Sequence, residues 1–352
     1  MSELKAERDR LPSVNDTVKG ENNKLYKLHA ILGDGGYGTV FDCREGEKRL
    51  ALKTEKYSKS MLHIEINVLR VTNARKCHHF CELVDHCHHF CELVDHGTQK
   101  PDYVYVVMTL LGRDLHRLRN EQPNRHFSLG TAVRVGSQTI KAIEELHKCG
   151  FLSRDIKPGN FAIGLKESSQ HRCVFMIDFG LSRKYVDKND QVLPSRKEVG
   201  WRGTTRYGSI QAHQRLDLGR RDDCESWFYM LVELTKGHLP WRHITDRNSV
   251  YAAKLASRNT GRVQFLQNCP KQYDHLLTTI DGLAFEDTPK YEDIYKLLEE
   301  MREESGTKSN TRFDWEDDNA STTKSVTTSL SEREQRANNV DRPAPDAPAH
   351  QT

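Results

Sequence analysis

One short polar stretch constrains this chain more than any other feature. Residues 153–160 read Ser-Arg-Asp-Ile-Lys-Pro-Gly-Asn and lie between an apolar-periodic helix and a short apolar run. Phosphoryl transfer needs a carboxylate that accepts the proton of the attacking hydroxyl, a cation against the moving phosphate and an oxygen ligand for metal. Asp155, Lys157 and Asn160 could fill these three roles. A structural ion pair is the alternative for this stretch alone, which we call the 153–160 loop.

A glycine-rich segment near the N-terminus fits the same chemistry. Gly33, Gly35, Gly38 and Val40 follow the pattern G-x-G-x-x-G-x-V. Glycines let the backbone approach phosphate oxygens closely, so that backbone amides can donate to them. Because strand-like sequence stands on both sides, the segment is predicted to be a hairpin rather than the strand-to-helix turn of a dinucleotide site. A simple β-turn is the alternative.

A lysine and a glutamate follow at useful distances. Lys53 ends the strand-like run 50–53, and Glu65 lies in residues 61–69, whose apolar side chains recur at helical spacing. The two side chains could form the ion pair that holds the α- and β-phosphates of a nucleotide. A solvated surface lysine is the alternative for Lys53.

Two further segments complete a possible nucleotide site. Residues 103–110 are predicted to form a strand, followed by a connection between two lobes where backbone near Leu111 could meet an adenine edge. Residues 174–177 are predicted to form a buried strand that ends in Asp178-Phe179-Gly180. Because Asp178 follows Asn160 at a workable distance, we interpret Asp178 as a metal ligand beside Asn160 rather than as a turn residue.

The segment 183–221 is basic, with a net charge of +6. A solvated face is the ordinary explanation, but beside the 153–160 loop this field would favour acidic or phosphorylated substrates. The apolar helix that follows is predicted to be central and buried, and Asp223 at its start is predicted to support the 153–160 loop.

Residues 77–86 and 87–96 are the same ten letters, Cys-His-His-Phe-Cys-Glu-Leu-Val-Asp-His. Four cysteines and six histidines in twenty residues could bind zinc. We prefer the hypothesis of one strand and a redundant copy, in which the second copy occupies the sheet and the first bulges out. The even period keeps inward and outward side chains in parity whichever copy pairs.

Length and composition set the outer limits. A chain of 352 residues is long enough for two domains or lobes. Its mean hydropathy is −0.74 and no apolar run approaches the roughly 18 residues of a membrane span. A net charge of +3 is too small to argue for nucleic acid. The composition predicts a cytoplasmic or nuclear protein with a mobile leader, residues 1–25, and a Ser/Thr-rich disordered tail, residues 305–352.

Taken together, residues 26–316 resemble the casein kinase 1 superfamily of serine/threonine kinases, and most closely its tau-tubulin kinase-like members. The resemblance rests on Arg-Asp-Ile-Lys-Pro-Gly-Asn-Phe at 154–161, on Arg-Gly-Thr-Thr-Arg-Tyr-Gly-Ser-Ile at 202–210, and on Arg-Asp-Asp at 221–223. Phe-Asp-Trp-Glu at 313–316 looks like the segment that closes the tau-tubulin kinase domain.

The resemblance implies an α+β fold of two lobes, the protein-kinase fold, with a β-rich N-lobe at 26–111 and a helical C-lobe at 112–304. It implies a monomeric enzyme that transfers the γ-phosphate of ATP, with Mg²⁺, to Ser or Thr of protein substrates. It places catalysis on Asp155, Lys157, Lys53 and Glu65, and metal on Asn160 and Asp178. The implied ATP contacts are Gly33, Gly35, Gly38, Val40, Ala51, Lys53, Met108 and Leu111.

The resemblance also implies that Arg206 binds the anionic group of primed or acidic substrates, while Thr204 and Thr205 are structural. Ser153 stands where the family carries a histidine that packs under Phe179, and the repeated decapeptide follows the Glu65 helix. These two departures motivate a second hypothesis, a nucleotide-binding pseudokinase or scaffold without turnover.

Overall fold

The computed structural model describes residues 9–35, 38–75 and 89–316. Within these residues, the N-lobe is an antiparallel sheet of six strands in the spatial order β1-β2-β3-β4-β6-β5. The strands are β1 (Thr17–Lys19), β2 (Leu25–Asp34), β3 (Gly38–Glu45), β4 (Lys48–Lys56), β5 (Leu93–Gln99) and β6 (Tyr103–Thr109). Helix α1 (Leu62–Ala74) packs against β5 and β6.

Successive side chains along β4 belong to two different hydrophobic cores of the N-lobe. Leu50 and Leu52 belong to a cluster on one face of the sheet, with Tyr26 and Phe41. Ala51 belongs to the main core, which includes α1 and continues into the C-lobe. Because successive side chains of a strand point to opposite faces, this places Lys53 on the same side as Ala51, toward α1.

The C-lobe is helical and surrounds one buried helix. Its helices are α2 (Leu115–Glu121), α3 (Leu129–Lys148), α4 (Ile210–His213), α5 (Arg220–Lys236), α6 (Arg247–Ala256), α7 (Arg262–Leu266), α8 (Gln272–Asp281) and α9 (Tyr291–Glu304). Its short strands are β7 (Phe151–Leu152), β8 (Phe161–Ile163), β9 (Val174–Met176) and β10 (Arg183–Lys184). Strand β7 pairs with β10, and β8 pairs with β9.

Helix α5 is buried from Asp222 to Leu234 and packs against α3 and α8. The two-lobed α+β fold implied by the sequence is confirmed.

The mobile leader predicted for residues 1–25 is wrong for its described part. Thr17, Val18 and Lys19 form β1 and pair with Lys27, Tyr26 and Leu25 of β2. The pairing buries Val18, which is 2% exposed and belongs to the outer N-lobe core. A three-residue strand has no periodicity of its own, so its partner decides that it forms.

The disordered tail predicted from residue 305 also begins too early. The rings of Phe313 and Trp315 stack with centroids 4.5 Å apart, and Trp315 meets Phe127 edge-on at 5.7 Å. Asp314 accepts hydrogen bonds from Ser128 N–H (2.6 Å) and Thr131 Oγ1 (2.7 Å) at the start of α3. Residues 305–316 are therefore part of the C-lobe, and the rest of the predicted tail lies outside the described residues.

The second copy of the decapeptide occupies the sheet, as predicted. Leu93, Asp95 and His96 pair with β6, and Asn73 of α1 bonds Cys91 O and Leu93 N–H through its side-chain amide (3.0 and 2.8 Å). The first copy lies outside the described residues, as do Cys77, Cys81 and Cys87, so the bulge and the zinc alternative stay untested. In the described parts of the chain no helix is both long enough and apolar enough to cross a membrane.

Candidate active site

Lys53 joins the two lobes at the cleft between them. Its Nζ lies 2.7 Å from Glu65 Oε2 and 3.2 Å from Asp178 Oδ1. Lys53 comes from β4, Glu65 from α1, and Asp178 lies just after β9. The Glu65 side chain is 3% exposed, whereas that of Asp178 is 49% exposed. The contact predicted between Lys53 and Glu65 is therefore formed, and it extends to Asp178.

The charges in this group stabilise one another. Burial lowers the pKa of Lys53, but Asp178 and Glu65 more than offset burial, and the net pKa is raised. Lys53 lowers the pKa of Asp178 against the effect of burial. Burial raises the pKa of Glu65, although Lys53 opposes that shift. At neutral pH Lys53 is a cation and Asp178 is a carboxylate.

The carboxylate of Asp155 accepts four hydrogen bonds. Its Oδ1 accepts the backbone N–H (2.9 Å) and the hydroxyl (2.8 Å) of Thr204. Its Oδ2 accepts Lys157 Nζ (2.7 Å) and Asn160 Nδ2 (3.2 Å). Asp155 is only 7% exposed, so these donors take the place of water around the charge. Asp155, Lys157 and Asn160 lie together as their spacing predicts.

The backbone brings Asn160 beside Asp178. The N–H of Ile177, the residue before Asp178, donates to Asn160 O (2.9 Å). The side-chain nitrogen of Asn160 donates to Asp155 O (2.8 Å) as well as to its carboxylate. Because the amide nitrogen faces Asp155, the amide oxygen of Asn160 is the atom that could ligate a metal together with the Asp178 carboxylate.

The glycine-rich segment forms the predicted hairpin between β2 and β3. Gly35 N–H donates to Gly38 O (2.9 Å). A Cβ on Gly38 would lie 1.8 Å from Thr54 O, so the close approach of β4 requires glycine there. A Cβ on Gly33 would meet nothing within 4 Å. Packing does not require glycine at 33, and its exposed backbone suits a phosphate-binding loop.

The apolar residues among the implied ATP contacts are Val40, Ala51, Met108 and Leu111. Val40 is opposite Lys53 in the register of β3 and β4, and Ala51 is opposite Met108 in that of β4 and β6. Ala51 and Met108 are 7% and 8% exposed, and Leu111 packs against the same core. Val40, Ala51 and Met108 therefore lie on three neighbouring strands, β3, β4 and β6, between the hairpin and the connection between the lobes.

Asp223 supports the 153–160 loop, as the sequence predicts. Its Oδ2 accepts Ser153 N–H and its Oδ1 accepts Arg154 N–H, both at 2.8 Å. His147 Nε2 lies 2.9 Å from the same Oδ2. Arg154 has a φ of +66°, a left-handed conformation that is uncommon for non-glycine residues. The two backbone bonds from Asp223 hold the loop in this turn.

Arg206 lies on the segment that carries Thr204. Its Nη1 is 3.6 Å from Glu233 Oε1, and its Nη2 donates to Arg242 O (3.5 Å). Glu233 is 2% exposed and also pairs with Arg119 at 2.9 Å. The charge of Arg206 is therefore partly balanced by the buried carboxylate of Glu233. An anion that binds Arg206 would compete with Glu233.

Thr204, which the resemblance implies is structural, has a contact that the sequence did not predict. Besides its two bonds to Asp155, its hydroxyl accepts from Lys157 Nζ (3.3 Å). Thr204 lies 49 residues beyond Asp155 in the chain, so no local spacing could connect them. The available signal was its place in the basic segment beside Arg206.

A family model described as "Protein kinase domain" matches residues 26–311. The chain belongs to the protein kinase family. It is 36% identical over 289 residues to a probable serine/threonine-protein kinase of Dictyostelium discoideum. The aligned region covers 81% of this chain and 55% of that protein. It is 40% identical over 218 residues to the serine/threonine-protein kinase spe-6 of Caenorhabditis elegans, covering 61% of this chain and 57% of that one.

A putative serine/threonine-protein kinase of Caenorhabditis elegans is 32% identical over 302 residues, covering 83% of this chain and 82% of the relative. This kinase thus spans little more than half the length of the first two relatives and most of the third. The match contains every residue that the site brings together, from Gly33 to Arg206.

Membership of the family implies ATP and a divalent metal, and the residues of this kinase fit both. The donor set near the cleft is oxygen-rich, with the half-exposed Asp178 carboxylate and the Asn160 amide oxygen, which suits a hard divalent cation. Lys53 Nζ lies beside Asp178 and is a cation that nucleotide phosphates could contact. Bound ATP would supply the phosphoryl group. The protein would position ATP and the substrate hydroxyl and balance the charge of the phosphates.

Proposed function

We propose that this kinase is an active serine/threonine protein kinase that transfers the γ-phosphate of ATP to protein hydroxyl groups. One observation carries the proposal. Lys53 contacts Asp178, Asp178 follows a residue bonded to Asn160, and Asn160 bonds Asp155. The phosphate-binding cation, the metal ligands and the proton acceptor therefore form one connected group in one cleft.

Asp155 would accept the proton of the substrate hydroxyl at a carboxylate oxygen. An ionised carboxylate offers about four lone-pair sites, and four donors already occupy Asp155. One of them must give way when the hydroxyl arrives. Lys157 is suited to do so, because its ammonium group can turn from Asp155 toward the phosphate while Thr204 keeps the other carboxylate oxygen in place. Glu65 keeps Lys53 in position throughout.

The test is transfer of radiolabelled phosphate from ATP to dephosphorylated casein. We expect Asp155→Asn to reduce kcat by roughly 10²- to 10⁴-fold, the usual range for a lost general base. Lys53→Met and Asp178→Ala should each reduce transfer by about 100-fold or more, because each removes charge that faces the phosphates. Thermal unfolding of each variant confirms that it is folded. Wild-type protein that binds ATP but transfers no more than Asp155→Asn would overturn the proposal in favour of a scaffold.

We propose Mg²⁺ as the metal, held by Asn160 and Asp178. Support comes from the small number of protein oxygens, since Mg²⁺ keeps several waters and binds through one or two carboxylates plus substrate phosphates. Activity titrated with Mg²⁺, Mn²⁺ and Ca²⁺ tests this. Transfer that Ca²⁺ supports as well as Mg²⁺ does would contradict it.

We propose acidic or phosphate-primed proteins as substrates, recognised in part by Arg206. The net charge of the segment 183–221 and the position of Arg206 on the Thr204 segment support this. Arg206→Ala should raise KM for a primed peptide and leave KM for its unprimed counterpart nearly unchanged. The family that the sequence resembles leads us to expect a second basic residue after Leu-Pro-Trp at 239–241, and Thr245 stands there instead. The preference for primed peptides should therefore be modest.

The sequence motifs at 154–161, 202–210 and 313–316 support placement in the casein kinase 1 superfamily near tau-tubulin kinase-like members. We further propose that the protein is a monomer in the cytoplasm or nucleus. We also propose that it binds neither nucleic acid nor a membrane, because its net charge is small and its mean hydropathy is low. Light scattering after size exclusion and imaging of a tagged chain test these points.

A further inference from the structure

Lys254 of α6 is a fully buried lysine outside the cleft. It is 0% exposed, although a buried ammonium group is unfavourable unless it is fully hydrogen-bonded. Its Nζ donates to Thr205 O (2.9 Å) and Gly208 O (2.5 Å) and lies 3.2 Å from His213 Nε2. Three donors thus meet three acceptors, and the group also lies over the rings of Tyr229 and Trp241 (5.0 and 5.4 Å).

The state of His213 is consistent with this arrangement. Burial, Lys254 and Arg247 lower the pKa of His213 to about 3. The ring is therefore neutral, and its Nε2 can accept a hydrogen bond from Lys254. Burial also lowers the pKa of Lys254, while Glu225 opposes that shift and Arg258 adds to it.

The carbonyl groups that Lys254 binds belong to the segment that holds Asp155. Thr204, immediately before Thr205, donates its N–H and its hydroxyl to Asp155 Oδ1. The N–H of Gly208 donates back to Thr204 O (2.9 Å), which closes a tight turn. The ammonium-bound carbonyl of Thr205 is therefore next in the chain to the residue that orients the proton acceptor.

The segment also lies against the 153–160 loop at a second point. Gly203 has a φ of +86°, and a Cβ there would lie 2.4 Å from Arg154 O. Such close packing leaves little room for the turn to adjust if its other side is released. A change at Lys254 should therefore reach Asp155 as a displacement of Thr204.

We propose that Lys254 is a positioning residue for Asp155, acting through the backbone of residues 204–208. The inference rests on the proposed kinase activity. Its alternative is that Lys254 only stabilises the packing of α6 on α4 and α5. The two hypotheses differ in what they predict for kcat in protein that is folded.

The central variant is Lys254→Met, which keeps an unbranched side chain of similar length and removes the donors. We expect kcat to fall by roughly 10- to 100-fold, because a small misplacement of a reacting group has effects of this size. KM for ATP should stay within about twofold of wild type, because the ATP contacts lie in the other lobe. Lys254→Gln, which can still donate two hydrogen bonds, should retain more of kcat than Lys254→Met.

Lys236→Met is the matched control. Lys236 Nζ donates to the backbone carbonyl of Phe265 (2.7 Å) and lies 5.9 Å from the centroid of that ring. Lys236 therefore makes the same kind of contact as Lys254, but it binds the carbonyl of α7 rather than a carbonyl of residues 203–210. Lys236→Met should lose stability and keep kcat.

A double-mutant cycle with Thr204→Ala tests the route. If Lys254 acts through Thr204, the loss of kcat in the double variant should be smaller than the product of the single losses by at least about threefold. Independent losses that multiply would overturn the proposal. Two further results would overturn the proposal, because each would assign Lys254 to stability alone. One is a wild-type kcat in folded Lys254→Met, and the other is failure of both Lys254 variants to unfold cooperatively. Absence of transfer by the wild-type protein would instead defeat the proposed function.

Discussion

The ring of Phe90 lies 5.8 Å from the ring of Phe179, with 36° between their planes. Phe179 directly follows Asp178, and both rings are buried, with exposures of 6% and 1%. Phe90 belongs to the second copy of the decapeptide, and the N–H of Met176 donates to His89 O (2.8 Å) beside it. The repeated segment is therefore attached to the strand that leads to Asp178.

This contact bears on the serine at 153. Ser153 has no ring to place under Phe179, and its hydroxyl instead accepts the N–H of Asp155 (3.4 Å). Phe90 contributes an aromatic contact to Phe179 from the N-lobe side. The sequence-based concern that Ser153 weakens the active arrangement considered only the missing contact, because Phe90 lies 89 positions from Phe179 in the chain and nothing local joins them.

Phe90→Leu should therefore reduce kcat as well as the free energy of unfolding. Loss of the ring contact frees Phe179 and with it Asp178, so we expect kcat to fall by several-fold while the free energy of unfolding falls by about 1–3 kcal/mol. Phe265→Leu is the control, because Phe265 is also buried and contacts aromatic rings of the C-lobe. Steady-state kinetics and urea unfolding give both quantities. Equal effects of the two variants on kcat would contradict this prediction.

Removal of residues 77–86 should leave the kinase folded and active. The second copy alone provides Phe90, the contacts of Cys91 and Leu93 with Asn73, and the strand β5. Shortening a connection by ten residues changes chain-closure entropy by only about 1 kcal/mol. Deletion of either copy gives the same polypeptide, so one deletion variant is sufficient, and its thermal unfolding and casein phosphorylation are compared with wild type. Loss of cooperative unfolding would show that the first copy is required.

The sequence predicted best those elements whose determinants are close together in the chain. The apolar-periodic helix predicted before the 153–160 loop is α3, which begins after Ser128, whose hydroxyl accepts Thr131 N–H (3.3 Å). Asp155, Lys157 and Asn160 were found because one short loop contains all three. The contacts of Thr204, Lys254 and Phe90 were not predicted because their partners lie far along the chain. Strand β1 and the start of the predicted tail were misjudged for the same reason, since residues 17–19 and 313–316 are stabilised by the surfaces that they cover.

Asp314→Ala should destabilise the kinase domain without impairing catalysis. Asp314 accepts from Ser128 N–H, Ser128 Oγ and Thr131 Oγ1 at the N-terminus of α3, where a negative charge is also favoured by the helix dipole. We expect a loss of about 1–3 kcal/mol in the free energy of unfolding. Glu303→Ala, at an exposed position of α9, is the control. An unchanged unfolding midpoint for Asp314→Ala would show that residues 313–316 do not contribute to stability.

Asp222 gives the fold a dependence on pH that can be isolated. This carboxyl group at the start of α5 is 2% exposed, and its Oδ2 accepts Gly219 N–H (2.8 Å). Burial raises the pKa of Asp222 to about 7, against the opposing effects of Ser209 and Gly219, and Glu225 adds to the increase. The unfolded chain releases this proton near its ordinary pKa of 3.8. Between these two values the folded state binds a proton that the unfolded state does not, so stability falls as pH rises through this window.

Asp222→Asn should remove that dependence, because the amide stays neutral at every pH of the experiment. Relative to wild type, the free energy of unfolding of the variant should rise by roughly 2–3 kcal/mol between about pH 5 and pH 8. Urea unfolding at a series of pH values measures the difference, and Asp190→Asn, at an exposed position, should give a constant offset instead. Parallel curves for wild type and Asp222→Asn would mean that Asp222 is already ionised in the folded protein at pH 5, and that the bonds from Gly219 and Ser209 outweigh its burial.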